Sequence, residues 1–318
     1  MKRHDRRFYY LMVVTCTALW GTAYPAVRWL VMSGMDPYLI ICLRVYSALL
    51  FALIAVIVSR SRVDFPAIRR NFMPYFLMAV TGSAGFMMLM TIGLEYTEAG
   101  KASFLAGSNP VLIVPLASLF LGEQFTLRKL AGVMIAVVGI GLTVIGGDIA
   151  AGSSLVFRPA DIILLGAALL WAVYSLLTRA YGNRLPYFTG LALMFVCSGL
   201  VLLPLFFRVA PMMADLNGKQ IFWLLYSGFV PGGIGFVTWN KGVNVLGASV
   251  CGTINSFMPV FATIFSMIFL GERMVWLQAC GGALVVAGVC AALGHVRLPV
   301  NTETGAAWEE EPQAKANV

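Results

Sequence analysis

The chain has 318 residues, 60% of them hydrophobic and 11% charged, with a mean hydropathy of +0.86. A soluble domain carries roughly 25% charged residues, so the composition excludes a soluble enzyme and implies an integral membrane protein. The net charge of +8 does not suggest a nucleic-acid partner, because the basic residues sit at the ends of apolar runs and in short loops, where membrane topology requires them.

A membrane-crossing helix needs about 20 mostly apolar residues. Ten runs qualify: 9–32, 38–58, 73–94, 98–121, 129–146, 160–178, 187–208, 220–240, 247–270 and 275–294. The first follows the basic segment 1–8. It is too long for a signal-peptide core and no small-residue cleavage site closes it, so it reads as a retained span. Trp20 and Tyr24, four apart, share one face of this helix, and Pro25 kinks it and frees the carbonyl of Gly21. Both aromatics either pack or stack on a solute. Arg28 and Arg44, toward the outer ends of spans 1 and 2, are the full charges placed within spans. Each either snorkels, pairs with an acid such as Asp36 or Glu95, or binds a substrate carboxylate.

Span 4, ASFLAGSNPVLIVPLASLFLGE, carries Ser108, Asn109 and a central Pro110, which frees the carbonyl of Ala106. Gly132 and Gly139 in span 5 lie two turns apart on one face, suited to close helix packing or to a homodimer contact. Trp171 and Tyr174 in span 6 repeat the aromatic pair of span 1 at a spacing of three. Span 8 closes with Trp239, Asn240, Lys241 and Asn244. Lys241 either anchors the helix at the inner face or faces a cavity, and Trp239 is either an interfacial anchor or a wall for a substrate. Span 9, CGTINSFMPVFATIFSMIFLGE, holds Asn255 and Ser256 before a central Pro259, which frees the carbonyl of Asn255. These amides either bond between helices or contact a substrate.

Spans 4 and 9 align without a gap at an offset of 149 residues. Pro110 falls on Pro259, and Phe120–Glu123 on Phe269–Glu272. The same offset places Gly93 on Gly242, Ala99 on Ala248, Gly132 on Gly281 and Gly139 on Gly288. An unbroken register over two spans and their connection implies an internal duplication. With the N-terminus inside, 15 of the 22 Lys and Arg residues fall on the inner side and 5 on the outer, which argues for both termini inside. Five spans per copy turn the second copy over. The expected fold is therefore all-α and integral to the membrane, with ten transmembrane helices as two five-helix inverted-topology repeats, 9–146 and 160–294. An external linker, 147–159, joins them, and a disordered cytoplasmic tail, 295–318, follows.

No metal or cofactor site is expected. The six cysteines all fall within apolar spans without a CxxC pair, and His4 and His295 stand at opposite ends. No span carries a central Asp or Glu, and there is no phosphate-binding loop of the ATPase type. A membrane-embedded enzyme would need converging acid, base or metal ligands in the spans, and none is visible.

The first span with ALWGTAYPAVRW, the Arg early in span 2 (CLRVYSALL), and two proline helices ending in LGE before a Gly-rich span resemble the drug/metabolite transporter superfamily. Over about residues 10–294 the chain is similar to its ten-span EamA-type family. The resemblance implies an inner-membrane exporter or exchanger of small polar metabolites, often amino acids and related compounds. It also implies a central cavity lined by spans 3, 4, 8 and 9 with help from 1 and 6. Combined with the residues above, the expected substrate-binding set is Trp20, Tyr24, Arg44, Asn109, Trp171, Tyr174, Trp239, Asn240, Asn255 and Ser256, with Pro25, Pro110 and Pro259 shaping the helices. The expected partners are a small-molecule substrate and the lipid bilayer. A non-transporting receptor or assembly factor on the same fold is the alternative, and a closed, packed midplane would favour it.

Overall fold

A computed structural model describes residues 3–97, 99–106, 109–124, 126–150, 159–271 and 275–293. Expectations for Glu98, Ser108, Arg158, Glu272, Arg273, His295 and the tail 295–318 fall outside them. The described backbone is helical, with no strand among the described residues. Among the described residues, eight stretches are long and apolar enough to cross a membrane: Arg7–Met32, Pro37–Val58, Phe72–Tyr96, Ala99–Leu121, Pro159–Tyr181, Tyr187–Asp215, Gly218–Leu246 and Ala248–Leu270. Trp276–Ala292 is a shorter apolar helix. The protein is thus a multi-pass membrane protein.

In chain order, α1 is Arg3–Met32, α2 Pro37–Val58, α3 Phe65–Arg70, α4 Phe72–Met78 and α5 Phe86–Tyr96. Next come α6 Ala99–Ala106, α7 Pro110–Leu121, α8 Leu127–Ala150, α9 Pro159–Tyr181 and α10 Tyr187–Val209. The last are α11 Gly218–Ser227, α12 Gly235–Leu246, α13 Ala248–Asn255, α14 Met258–Leu270 and α15 Trp276–Leu293. Local chemistry sets many ends. Asp36 caps α2 by accepting from the amides of Tyr38 and Leu39, with Pro37 in the first turn. Asn217 and Gln220 form a capping box on α11. Both α7 and α14 stop at a left-handed glycine, Gly122 (φ 64°) and Gly271 (φ 67°), a conformation that a Cβ penalises.

Two features differ from the expectation of ten simple helices. Spans 4 and 9 are interrupted: Pro110 opens α7 after Asn109, which stands outside a helix, and Pro259 is the second residue of α14, which a turn at Ser256 and Phe257 separates from α13. A proline lacks the N–H that would carry the ladder across and clashes with the preceding turn, so it opens the next helix instead. Pro25, by contrast, sits inside an unbroken α1. The second feature is a π-helical turn in each of two spans, Ala79–Gly85 between α4 and α5 and Gly228–Ile234 between α11 and α12. The turns stand 149 residues apart (79 to 228), the offset at which the sequence repeats. Both are rich in small residues, AVTGSAG and GFVPGGI, which let neighbours approach the widened backbone.

The halves interlock. The first π turn packs on α9 and α10, and the second on α1 and α2. Helix α1 lies along α14, and α9 along α5 and α7. Helices α8 and α15 pair closely. A Cβ built on Gly132 would sit 2.5 Å from the carbonyl of Gly288, and one on Gly139 would sit 2.5 Å from that of Gly281. The two helices therefore run antiparallel, glycine against glycine, and these glycines pack within the chain.

Candidate functional site

The two helix breaks meet in the centre of the molecule. Asn109 Nδ2 donates to the Ala106 carbonyl at 3.1 Å, so the group freed by the first break is satisfied locally. Across the junction, Asn255 Nδ2 approaches Asn109 Oδ1 at 3.5 Å, the limit of a hydrogen bond. Both amides are buried, each 1% exposed. Beside them lies a cavity of about 30 Å³, walled by Trp20, Tyr24, Arg44, Asn109, Trp171 and Asn255 together with Ala23, Phe86, Met87, Met90, Pro231, Phe236 and Met258. That is room for about two waters and too little for a metabolite.

One side of the wall is aromatic. Trp20 and Trp171 meet edge to face at 4.8 Å between ring centroids, and both pack on Phe236 at 6.1 and 5.7 Å. The π turn fixes Trp20. The Gly235 amide bonds five residues back to Val230, skipping the carbonyl of Pro231. The Trp20 indole donates to that skipped carbonyl at 2.8 Å. The other side is polar. Arg44 is 2% exposed and donates from Nη1 to Thr91 Oγ1 at 3.4 Å, and its Nε has no partner. Tyr24 Oη, Trp171 Nε1 and Asn255 Oδ1 are likewise buried without a protein partner. Unsatisfied buried polar atoms are uncommon, and four of them belong to residues of one cavity wall.

Six of the ten residues expected from sequence thus border one cavity. Three others form the layer behind it. Trp239 is fully buried against Trp20 (5.1 Å) and Trp171 (5.5 Å), and Tyr174 Oη donates to Asn240 Oδ1 at 2.5 Å. Ser256 lies elsewhere, in a small cleft with Pro110, Thr253, Gly132 and Gly288. Lys241 is exposed, its Nζ 5.7 Å from the centre of the Tyr187 ring, and does not reach the cavity.

Charges inside the fold go beyond Arg28 and Arg44. Lys101 Nζ on α6 lies 3.3 Å from Asp161 Oδ1 on α9, with side chains 5% and 2% exposed. Hydropathy counts Lys101 with the outer flanking charges, and Asp161 carries no signal of its own in the sequence. Neither Arg28 nor Arg44 makes the expected side-chain ion pair with Asp36 or Glu95 among the described residues. Arg28 donates to the carbonyls of Leu94 (2.6 Å) and Glu95 (3.3 Å) at the end of α5. Arg179 does the same for Asn244 at the end of α12 (2.5 Å). Glu123, from the LGE after α7, accepts from the amides of Ala248 (2.9 Å) and Ser249 (3.0 Å), capping α13 of the other half, with Arg179 Nε 4.0 Å away. Nothing in the sequence around Glu123 signals that partner, because it lies 125 residues on.

Residues 7–145 and 158–294 each match the EamA-like transporter family. A probable terminal-alkyne amino-acid exporter of Streptantibioticus cattleyicolor is 30% identical over 287 residues, covering 87% of this chain and 90% of that protein. The uncharacterized transporter YyaM of Bacillus subtilis is 26% identical over 234 residues, covering 73% and 76%. A protein of known crystal structure, 21% identical, shares the fold with a TM-score of 0.69 over 90% of this chain and 97% of its own. The family matches together span most of a multi-pass, all-helical chain, and the protein therefore belongs to the EamA-like transporter family of membrane transporters.

Proposed function

We propose that the protein is a secondary transporter that exports small polar metabolites, amino acids or related compounds, by alternating access. In this reading ten helices form two five-helix repeats of opposite orientation, 9–146 and 160–294, in the inner membrane with both termini cytoplasmic. The observation that carries the reading is the cavity where the breaks at Asn109–Pro110 and Asn255–Pro259 meet. Broken helices at a junction between repeats are a recurring way for transporters to place backbone and amide groups against a solute. With room for about two waters the midplane is nearly packed, which taken alone favours the alternative of a non-transporting receptor or assembly factor. The transport reading takes the described state as a closed one whose halves part for loading. The 30%-identical amino-acid exporter supports the direction and substrate type.

Counterflow in proteoliposomes tests this, with amino acids, sugars, nucleosides and cationic drugs as candidate substrates. Exchange of at least one class is expected, and Asn255→Ala and Trp239→Ala should lower it without lowering expression. Absence of exchange for every class would overturn the transport reading. A reporter fused after residue 295 should read as cytoplasmic, and an external signal would overturn the ten-span topology.

A further inference from the structure

We propose that Arg44 and Tyr24 form a carboxylate site, holding the acid group of an amphipathic, amino-acid-like substrate whose apolar part lies on Trp20, Trp171 and Phe236. The inference rests on the transport reading for its biological sense, but its physical argument is separate.

Arg44 is a permanent cation, 2% exposed, whose one hydrogen bond is long and goes to a neutral hydroxyl. No carboxylate lies within ion-pair distance of it among the described residues, and no acidic residue borders the cavity. Burying an unpaired charge costs several kcal/mol even after relaxation. Arg28 and Arg179, both only partly buried, still donate to backbone carbonyls at helix ends, Arg28 to Leu94 and Glu95 and Arg179 to Asn244. The more deeply buried Arg44 makes no such contact and no ion pair among the described residues. Its Nε and the Tyr24 hydroxyl are donors without acceptors, both on residues of the same cavity wall. A ligand that supplies a negative charge and two acceptor oxygens satisfies both donors, and a planar carboxylate matches the guanidinium fork. Asn255 Oδ1, on the same wall, is an acceptor without a donor and suits an ammonium group. The rest of the wall, Trp20, Trp171 and Phe236 among it, is apolar and orients the other end of the molecule.

The test is a matched series on the purified full-length protein. Leucine, 4-methylpentanoate, leucinamide and 3-methylbutylamine separate the acid from the amine, and phenylalanine, 3-phenylpropanoate and phenylalaninamide repeat the comparison with an aromatic chain. Binding is read by thermal shift and by tryptophan fluorescence. The acids should bind at least about tenfold tighter than the amides, as expected for a charge-assisted contact. Arg44→Gln should abolish that preference. Tyr24→Phe, the milder change, should weaken acid binding several-fold and leave amide binding alone. Equal binding of acid and amide, retention of the preference in Arg44→Gln, or binding of none of the acids would overturn the site. Proteoliposome counterflow separates the two proposals. Exchange of acids and amides alike would sink the carboxylate site and keep the transporter. Acid-selective binding without exchange of any substrate would do the reverse.

Discussion

Corresponding positions in the two halves have been put to different uses. In the second half, Tyr174 donates to Asn240, so the tyrosine hydroxyl is satisfied within the protein. In the first half, Trp20 and Tyr24 of α1 resemble Trp171 and Tyr174 of α9 at a spacing that differs by one, with Tyr24 one residue out of the 149-residue register, and Thr91 stands 149 residues before Asn240. Threonine is shorter, Tyr24 Oη finds no partner, and Thr91 is approached by Arg44 instead. Arg44 has no charged counterpart in α10, where the matching stretch, Leu193–Phe195, is apolar. On the cavity wall the unpartnered atoms divide evenly, Arg44 Nε and Tyr24 Oη in the first half and Trp171 Nε1 and Asn255 Oδ1 in the second; what the first half alone brings is the charge. A duplicated fold can repeat its helix interruptions and π turns in both halves while the charge on the cavity wall comes from one half only. That asymmetry gives a small ligand an orientation.

The largest test of this comparison lies away from the cavity. Lys101 and Asp161 form a buried pair joining the halves, and the position 149 residues after Lys101 is Val250, apolar and 1% exposed. Removing one side of a buried ion pair is strongly destabilising, so Lys101→Met should cost the protein about 3–5 kcal/mol. Replacing both, Lys101→Met with Asp161→Leu, removes both charges together and should recover most of the loss. Thermal unfolding in detergent reads both. If the double variant is as unstable as the single one, the first half depends on the pair for something its counterpart does without.

Next in size is the link at Glu123. Its carboxylate holds the first two amides of α13, and Glu123→Gln keeps one acceptor but loses the charge and the second bond. A loss of about 1.5–3 kcal/mol is expected for a charged hydrogen-bonding group. Hydrogen exchange at Ala248 and Ser249 should speed up relative to the body of α14. Unchanged exchange there would mean that α13 is held by packing alone.

Much of the architecture was legible in the sequence because its markers are strong. A proline and FLGE at one offset, and apolar runs near 20 residues, are hard to produce by accident. What escaped was set by contacts between distant segments. The π turns, AVTGSAG and GFVPGGI, hold mostly small and apolar residues, which a span tolerates without a clear change in hydropathy. Lys101 and Asp161 stand 60 residues apart, each near the end of an apolar run, where a charge is ordinary. Their burial follows from α6 packing on α9. Among the candidate site residues, spacing identified which helix faces carry aromatics and amides. It could not say which of Trp20, Trp171 and Trp239 borders the cavity, since all three sit in one ring cluster.

The smallest effect is the most discriminating. Tyr174→Phe and Tyr24→Phe delete the same atom from the two similar aromatic pairs, one in each half. The first leaves Asn240 Oδ1 buried without its donor, and Asn240 is only 7% exposed. Removing one partner of a buried hydrogen bond costs about 1–3 kcal/mol, because the stranded acceptor keeps its desolvation penalty. The second deletes a hydroxyl that has no protein partner, so stability should change by no more than about 0.5 kcal/mol, or rise slightly as an unsatisfied polar atom is removed. Melting of the two variants side by side, with ligand absent, gives the comparison directly. Equal destabilisation would mean that Tyr24 is as structural as Tyr174, and the division of labour between the halves would fall with it. A clear loss for Tyr174→Phe and none for Tyr24→Phe would leave the Tyr24 hydroxyl with no work to do in the empty fold, and so available to a bound solute.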